Sequence, residues 1–121
     1  MKQFLRAHGV EVSRLGTFDM LDMFDHAKIE PEEIYQKVKE TNSADTEAIF
    51  VACTQLRALE VIDMLERDLG KPVYSAVQAT AWQAYAEMGV DPRITGCGSL
   101  LRKLSEPGAL KQPAKRLRKS A

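Results

Sequence analysis

The sequence lacks the features that mark several specialised classes of protein. It has only two cysteines, Cys53 and Cys97, in 121 residues, which are too few for a disulfide framework and too far apart for a CxxC metal site. No apolar run approaches about 18 residues, the length needed to span a bilayer. The amino terminus also lacks the apolar segment of a signal peptide. We therefore predict a chain that meets no membrane and works in the reducing cytoplasm.

Charge of one sign is not in excess either. Lys plus Arg and Asp plus Glu both count 17, so the whole-chain balance favours neither nucleic acid nor a membrane surface as the main partner. Residues 107–121, however, contain basic side chains and no acid. We predict a basic flexible tail over residues 105–121, after a folded domain over residues 1–104. Nucleic-acid binding by the tail is the weaker alternative, because short basic tails are mostly solubilising. The basic residues of the tail are Lys111, Lys115, Arg116, Arg118 and Lys119.

What is present indicates an α/β domain. The apolar run Ala48–Ala52 is typical of a strand buried on both faces of a parallel sheet. Apolar residues then recur at the helical period over residues 55–69, and Gly70 is placed to end that helix. A second apolar run at Val73–Ala76 completes a β-α-β unit.

The flanking segments extend the same pattern. Alternation at Val10–Leu15 predicts a third parallel strand, Pro31 begins a helix to about Glu40, and a further helix covers residues 78–88. We expect a short parallel sheet with helices on both faces. Residues 2–8 resemble the second half of a helix with no strand before it, so the fold is predicted to be truncated at its amino terminus.

Cys53 follows the first buried run directly, at the carboxyl edge of the predicted sheet, where ligands bind in open α/β sheets. The N–H groups of a helix beginning at residue 55 would favour its thiolate form or hold a carboxylate. Thr54 adds a hydroxyl that can cap the helix or donate to a carboxylate. The alternative is that Cys53 only packs, as free cysteines often do.

Four segments resemble, in order and spacing, the maleate isomerase and arylmalonate decarboxylase branch of the aspartate/glutamate racemase superfamily. Residues 52–57 (ACTQLR) are similar to the Cys-Thr-Asn-Leu-Arg string that holds the second catalytic cysteine in that family. Residues 70–73 (GKPV) and 75–80 (SAVQAT) are similar to its Gly-Lys-Pro-Val strand and Ser-Asn-Gln-Ala turn. Residues 96–101 (GCGSLL) resemble its closing Gly-Tyr-Gly-Arg-Leu-Leu segment.

The resemblance implies a flavodoxin-like carboxy-terminal lobe, which in this family faces a second lobe across the active site. It implies chemistry on small dicarboxylates or arylmalonates without metal or other cofactor: isomerisation, racemisation or decarboxylation. Cys53 is then the catalytic cysteine of this lobe, and Thr54, Gln55 and Asp22 are expected to contact substrate. Gln55 and Val77 replace family Asn residues.

A second hypothesis is that the chain is a truncated, non-catalytic lobe that acts as an interaction module. In that case its partner is another copy of the chain or the missing amino-terminal lobe, with its own cysteine. The remaining candidates have simpler interpretations: His26 as a surface residue, Cys97 as a small loop residue, and Trp82 and Tyr85 as core. No P-loop, GxGxxG or zinc motif occurs in the sequence.

Overall fold

The computed structural model describes residues 1–22, 24–91 and 93–102. The predicted basic tail, residues 105–121, lies outside this range, as does the domain boundary after residue 104. A short 3-10 helix covers Asp25–Lys28. The regular elements are α1 Lys2–Ala7, α2 Pro31–Thr41, β1 Ile49–Val51, α3 Leu59–Leu69, β2 Val73–Ser75, α4 Ala76–Met88 and α5 Gly98–Arg102. No helix in the described part of the chain is long and apolar enough to cross a membrane.

The predicted β-α-β unit is confirmed. β1 and β2 pair in parallel, with Ile49 opposite Val73 and Val51 opposite Ser75, and α3 makes the crossover between them. Gly70 ends α3 in the left-handed conformation at φ 62°, as the sequence predicted, because a residue without Cβ adopts that conformation without steric cost. The chain therefore has the α/β class and the short parallel sheet expected of it.

The prediction of a third strand at Val10–Leu15 is wrong. The segment has no regular secondary structure, and Val10 and Leu15 are 51% and 53% exposed. Alternation of apolar and polar residues predicts only which side chains share a face. A strand also needs a neighbour for its backbone groups, and none of the described residues pairs with this segment.

The predicted start of the helix after Cys53 is also wrong, since α3 begins at Leu59 and not at residue 55. Residues 52–58 form an irregular connection that we call the thiol loop. Its Leu56 packs against the core as a loop residue, and Ala58, the residue before α3, is completely buried. Leu56 thus has the apolar burial that its spacing predicted, but without the helical backbone.

The core lies between α2, α3 and the sheet. Helix α3 supplies its centre with Val61, Ile62 and Leu65, because these side chains lie on one face at the helical period. The other fully or largely buried apolar residues are Ile29, Ile34, Val38, Val51, Ala58, Val73 and Leu101.

The two edges of the sheet, along β2 and along β1, have different surroundings. Helix α5 packs against α3, α4 and β2. On the other side, the N–H of Ile49 donates to the carbonyl of Pro72 at 3.0 Å, so the backbone groups of the next residue, Phe50, point away from β2 to an open edge. The Phe50 side chain is 48% exposed. Within the described part of the chain, β1 therefore has one paired edge and one open edge.

Candidate active site

The thiol loop presents the predicted site residues at the carboxyl end of β1. Cys53 is half-buried, whereas Thr54 and Gln55 are exposed in the turn that follows it. Both cysteines of the chain are free thiols. Half-burial fits a thiol that is held by the fold and still open to a small molecule.

Helix α4 begins directly at this edge of the sheet, whereas α3 begins only after the thiol loop. Since Val51 is opposite Ser75, the residues after β1 and the first turn of α4 leave the sheet side by side. Ser75 is the N-cap: its hydroxyl accepts from the N–H of Gln78 at 3.2 Å, and the Gln78 side chain accepts from the N–H of Ser75 at 2.8 Å. The N–H of Val77 has no acceptor within the helix, and the start of α4 supplies partial positive charge at this edge of the sheet.

Sequence reasoning missed this role of Ser75, because it ended the second strand at Ala76 and began the helix near Gln78. The signal was present in the sequence. Ser75 and Gln78 form the Ser-x-x-Gln pattern of a capping box, which places the first helical residue at Ala76. The helix that follows β2 therefore begins at Ala76, at the carboxyl edge of the sheet.

Arg57 ties the thiol loop to both neighbouring helices. Its Nε and one terminal nitrogen donate to Glu60 of α3 at 2.8 and 3.1 Å. The other terminal nitrogen donates to Glu30, the residue before α2, at 3.4 Å. The hydrogen bond and charge of Glu60 raise the pKa of Arg57 above its ordinary value.

Asp22 and His26 lie on the segment before α2. Asp22 is exposed, and its carboxylate accepts from the N–H of Phe24 at 2.9 Å, which closes its own turn. His26 is half-buried within the short 3-10 helix. Contact of Asp22 with substrate stays a prediction.

Cys97 lies in the bend before α5. It lies between Gly96 and Gly98, both at positive φ, and its carbonyl accepts from the side chain of the buried Gln78. Gly98 packs on the middle of α3, where a Cβ would lie 2.5 Å from Ile62. These contacts support the interpretation of Cys97 as a small loop residue.

An open depression on the surface of α2 contains none of the predicted site residues. It is lined by Phe18, Glu32, Glu33, Gln36, Lys37 and Glu40. Among the described residues, no group of three His, Cys, Asp or Glu side chains is arranged to hold a metal ion. Binding of a small molecule at Cys53 stays a prediction.

Fold and site together define an α/β lobe with a free thiol at the carboxyl edge of a parallel sheet. The sequence model of the arylmalonate decarboxylase family (Amdase) matches residues 1–101. The chain belongs to this family, as its motifs had indicated.

Comparison with individual proteins gives the same assignment. The chain is 28% identical over 99 residues to the maleate isomerase of Alcaligenes faecalis, covering 81% of this chain and 39% of that protein. The structure is similar to the maleate isomerase Iso from Pseudomonas putida S16, with a TM-score of 0.79 and 28% identity over 85% of this chain and 42% of that one. It is also similar to the Nocardia farcinica maleate cis-trans isomerase bound to TRIS, with a TM-score of 0.76 and 26% identity, covering 82% and 41% of the two chains. The chain thus spans about 40% of the length of the relatives it matches.

Proposed function

We propose that the chain is the carboxy-terminal lobe of a cofactor-independent, cysteine-dependent enzyme that acts on small dicarboxylates or arylmalonates, with Cys53 as its reacting thiol. The observation that carries the proposal is the half-buried Cys53 directly after β1, in a chain of the arylmalonate decarboxylase family. The likeness to maleate isomerases favours a cis–trans isomerisation of a dicarboxylate.

In such an isomerisation the Cys53 thiolate adds to one carbon of the double bond, and the electron pair moves onto the adjacent carboxylate as an enediolate. Rotation about the new single bond and loss of the thiolate then give the other isomer. In a decarboxylase or racemase the thiol instead donates its proton to the carbanion. Either course develops negative charge beside the sheet edge. We expect the Thr54 hydroxyl and the N–H of Val77, in the first turn of α4, to be the donors that stabilise it.

The rest of the site belongs to the part of the relatives that this chain does not match. By resemblance, a facing lobe contributes the other catalytic cysteine and closes the pocket. We therefore expect turnover only when this chain is joined by such a lobe. A thiol that is open to water on one side lacks the water-excluded site with preorganised polar groups that the reaction needs.

The test is to express the chain with the amino-terminal lobe of a maleate isomerase and to assay maleate, substituted malonates and amino acids. Cys53→Ser should lower turnover by at least about 100-fold, because a positioned acid–base group contributes at least about that factor to the rate. Cys97→Ser is the matched control for loss of a thiol and should leave turnover within about threefold, because Cys97 does not stand in the Cys-Thr string to which the family resemblance assigns catalysis. Turnover that survives Cys53→Ser would contradict the proposal.

A second candidate function is the non-catalytic interaction module, and the exposed apolar surface favours it. Phe50 lies on the open edge of β1, and an exposed edge invites pairing with another strand. The segment before α2 adds further exposed apolar side chains: Val10, Leu15, Met20, Leu21 and Phe24.

Light scattering after size-exclusion chromatography tests this second function, and self-association of the chain alone is the result that separates it from the first. An interaction module forms a dimer or a complex with an added amino-terminal lobe, and Phe50→Ser should weaken that assembly, whereas Met88→Ser, an exposed residue of α4, should not. A chain that stays monomeric with and without the lobe would exclude this function.

A further inference from the structure

The thiol loop has few restraints of its own. It lies between β1 and α3 without regular secondary structure, and two apolar residues near its end, Leu56 and Ala58, attach it to the core. Thr54 and Gln55, next to the candidate thiol, are exposed. Such a loop opens locally at low cost unless something else restrains it.

Arg57 supplies that restraint through both sides of its guanidinium. The two nitrogens that face Glu60 donate to its two carboxylate oxygens in a bidentate pair, at 2.8 and 3.1 Å. This arrangement fixes the orientation of the side chain as well as its position. The third contact, to Glu30 at 3.4 Å, crosses from the loop to a residue 27 positions earlier in the chain.

Glu30 is itself part of a fixed structure. It precedes α2, and its N–H donates to the carboxylate of Glu33 at 3.0 Å, within the capping box of that helix. The three residues Glu30, Arg57 and Glu60 therefore join the start of α2, the thiol loop and the first turn of α3. We call these three residues the arginine clamp.

We propose that Arg57 is a positioning residue for Cys53: by bridging Glu60 and Glu30 it holds the thiol loop in one conformation at the carboxyl end of β1. This inference rests on the proposed function of Cys53. All three guanidinium nitrogens are already paired with carboxylates. The geometry therefore assigns Arg57 to fixing the loop and not to binding a substrate carboxylate.

Losing the arginine clamp should affect the loop more than the stability of the whole fold. Arg57 is 47% exposed and its partners are more so, and exposed ion pairs contribute little to global stability. The loss of the clamp should therefore change the local opening of the loop, and with it the accessibility of Cys53, while the unfolding midpoint moves little.

The experiment measures the iodoacetamide alkylation rate of each cysteine by peptide mass spectrometry on the native 121-residue chain, with Cys97 as internal reference. Arg57→Gln, Glu60→Gln and Glu30→Gln should each raise the Cys53 rate, the first by at least about threefold, because each loosens the loop. Arg57→Lys keeps the charge but loses the bidentate fork, and should lie between Arg57→Gln and the wild type. Lys37→Gln removes an ion pair with Glu40 on α2 and is the control that should leave the rate unchanged.

The signs of these changes separate a clamp from simple electrostatics. Removing a positive charge and removing a negative charge shift thiol reactivity in opposite directions, whereas loosening the loop acts in one direction for all three variants. Opposite shifts, no shift, or a rise shared equally by Cys97, which would signal global opening, would each overturn the clamp. None of these results depends on turnover, so loss of the clamp and failure of Cys53→Ser to abolish activity are distinguishable.

Discussion

Glu66 accepts hydrogen bonds from both the amide N–H and the hydroxyl of Ser99, each at 2.7 Å. The same carboxylate accepts from the N–H of Val73 at 3.1 Å, and its side chain is only 10% exposed. One buried residue of α3 thus fixes the start of β2 and the start of α5. Arg102 lies 3.6 Å away and provides a compensating positive charge.

The first prediction is that Glu66→Gln destabilises the fold by about 2–3 kcal/mol. The glutamine side chain has only one oxygen to accept from the three donors that now bind the carboxylate. Its NH₂ group then faces at least one N–H or O–H group that has lost its acceptor. Leaving a buried donor unpaired lowers the free energy of unfolding more than losing an exposed hydrogen bond does. Urea denaturation followed by circular dichroism measures the change. Glu87→Gln is the matched control, because Glu87 is exposed on α4, and should change stability by less than about 0.5 kcal/mol. Equal stabilities for the two variants would show that the Glu66 contacts contribute nothing.

The second prediction compares two glycines with the same backbone conformation. Gly98 has φ 80° and Gly89 has φ 65°, so alanine at either position pays about 1–2 kcal/mol for the left-handed conformation. A Cβ at Gly98 would also lie 2.5 Å from Ile62 and 3.0 Å from the Gln78 amide, whereas Gly89 has nothing within 4 Å. Overpacking adds about 1–3 kcal/mol.

Gly98→Ala should therefore lower the free energy of unfolding by clearly more than Gly89→Ala does. Thermal or urea melts of the two variants, measured side by side, check this difference. If the two variants lose the same stability, the close packing of Gly98 on α3 is not present in solution.

The third prediction concerns the centre of the core. Ile62 is completely buried on α3, while Met64, two residues later, is 37% exposed. Ile62→Ala should cost about 2–5 kcal/mol through lost burial and the cavity left behind. Met64→Ala, on the same helix, should cost less than about 1 kcal/mol. The denaturant midpoints of the two variants measure this difference in stability. A Met64 variant as unstable as the Ile62 variant would mean that Ile62 does not lie in the core and Met64 at its margin.

The fourth prediction concerns Asp45, whose carboxylate accepts from the Ser43 hydroxyl at 2.5 Å. This hydrogen bond lowers the pKa of Asp45 below its ordinary value, because it favours the charged form. A carboxyl group with a lowered pKa stabilises the fold above its unfolded pKa and loses that contribution as pH falls through its folded pKa. Ser43→Ala should raise the pKa of Asp45 towards the ordinary value, as carboxyl NMR titration would detect, whereas Ser13→Ala should not. An Asp45 titration that Ser43→Ala leaves unchanged would assign the lowered pKa to another cause.

Much of the fold follows from local patterns. The apolar run around Phe50, the helical period of Val61, Ile62 and Leu65, and Gly70 after Leu69 together predicted a β-α-β unit, and the structure has one. These features act over a few residues, through burial of one face and freedom at a positive φ, so they are present in the sequence itself.

The failures involved contacts that no local pattern contains. Val10–Leu15 alternates like a strand but has no partner to pair with among the described residues. Leu56 has the spacing of a helical residue, but it reaches the core from a loop, because either backbone can bury the same side chain. Ser75 was the exception, since its capping box was readable and was overlooked.

The sequence by itself determined the class of the protein, its family and the thiol at the end of β1, because strand and helix periods, turn glycines and motif order are all written along the chain. Only the tertiary structure decided that residues 52–58 form a loop and that α3 starts at Leu59. It also decided that Arg57 joins Glu60 to Glu30, a residue 27 positions away. The physical reason is that hydrogen bonds and ion pairs between distant residues depend on how the elements pack, and packing is set by the whole core and not by any segment of it.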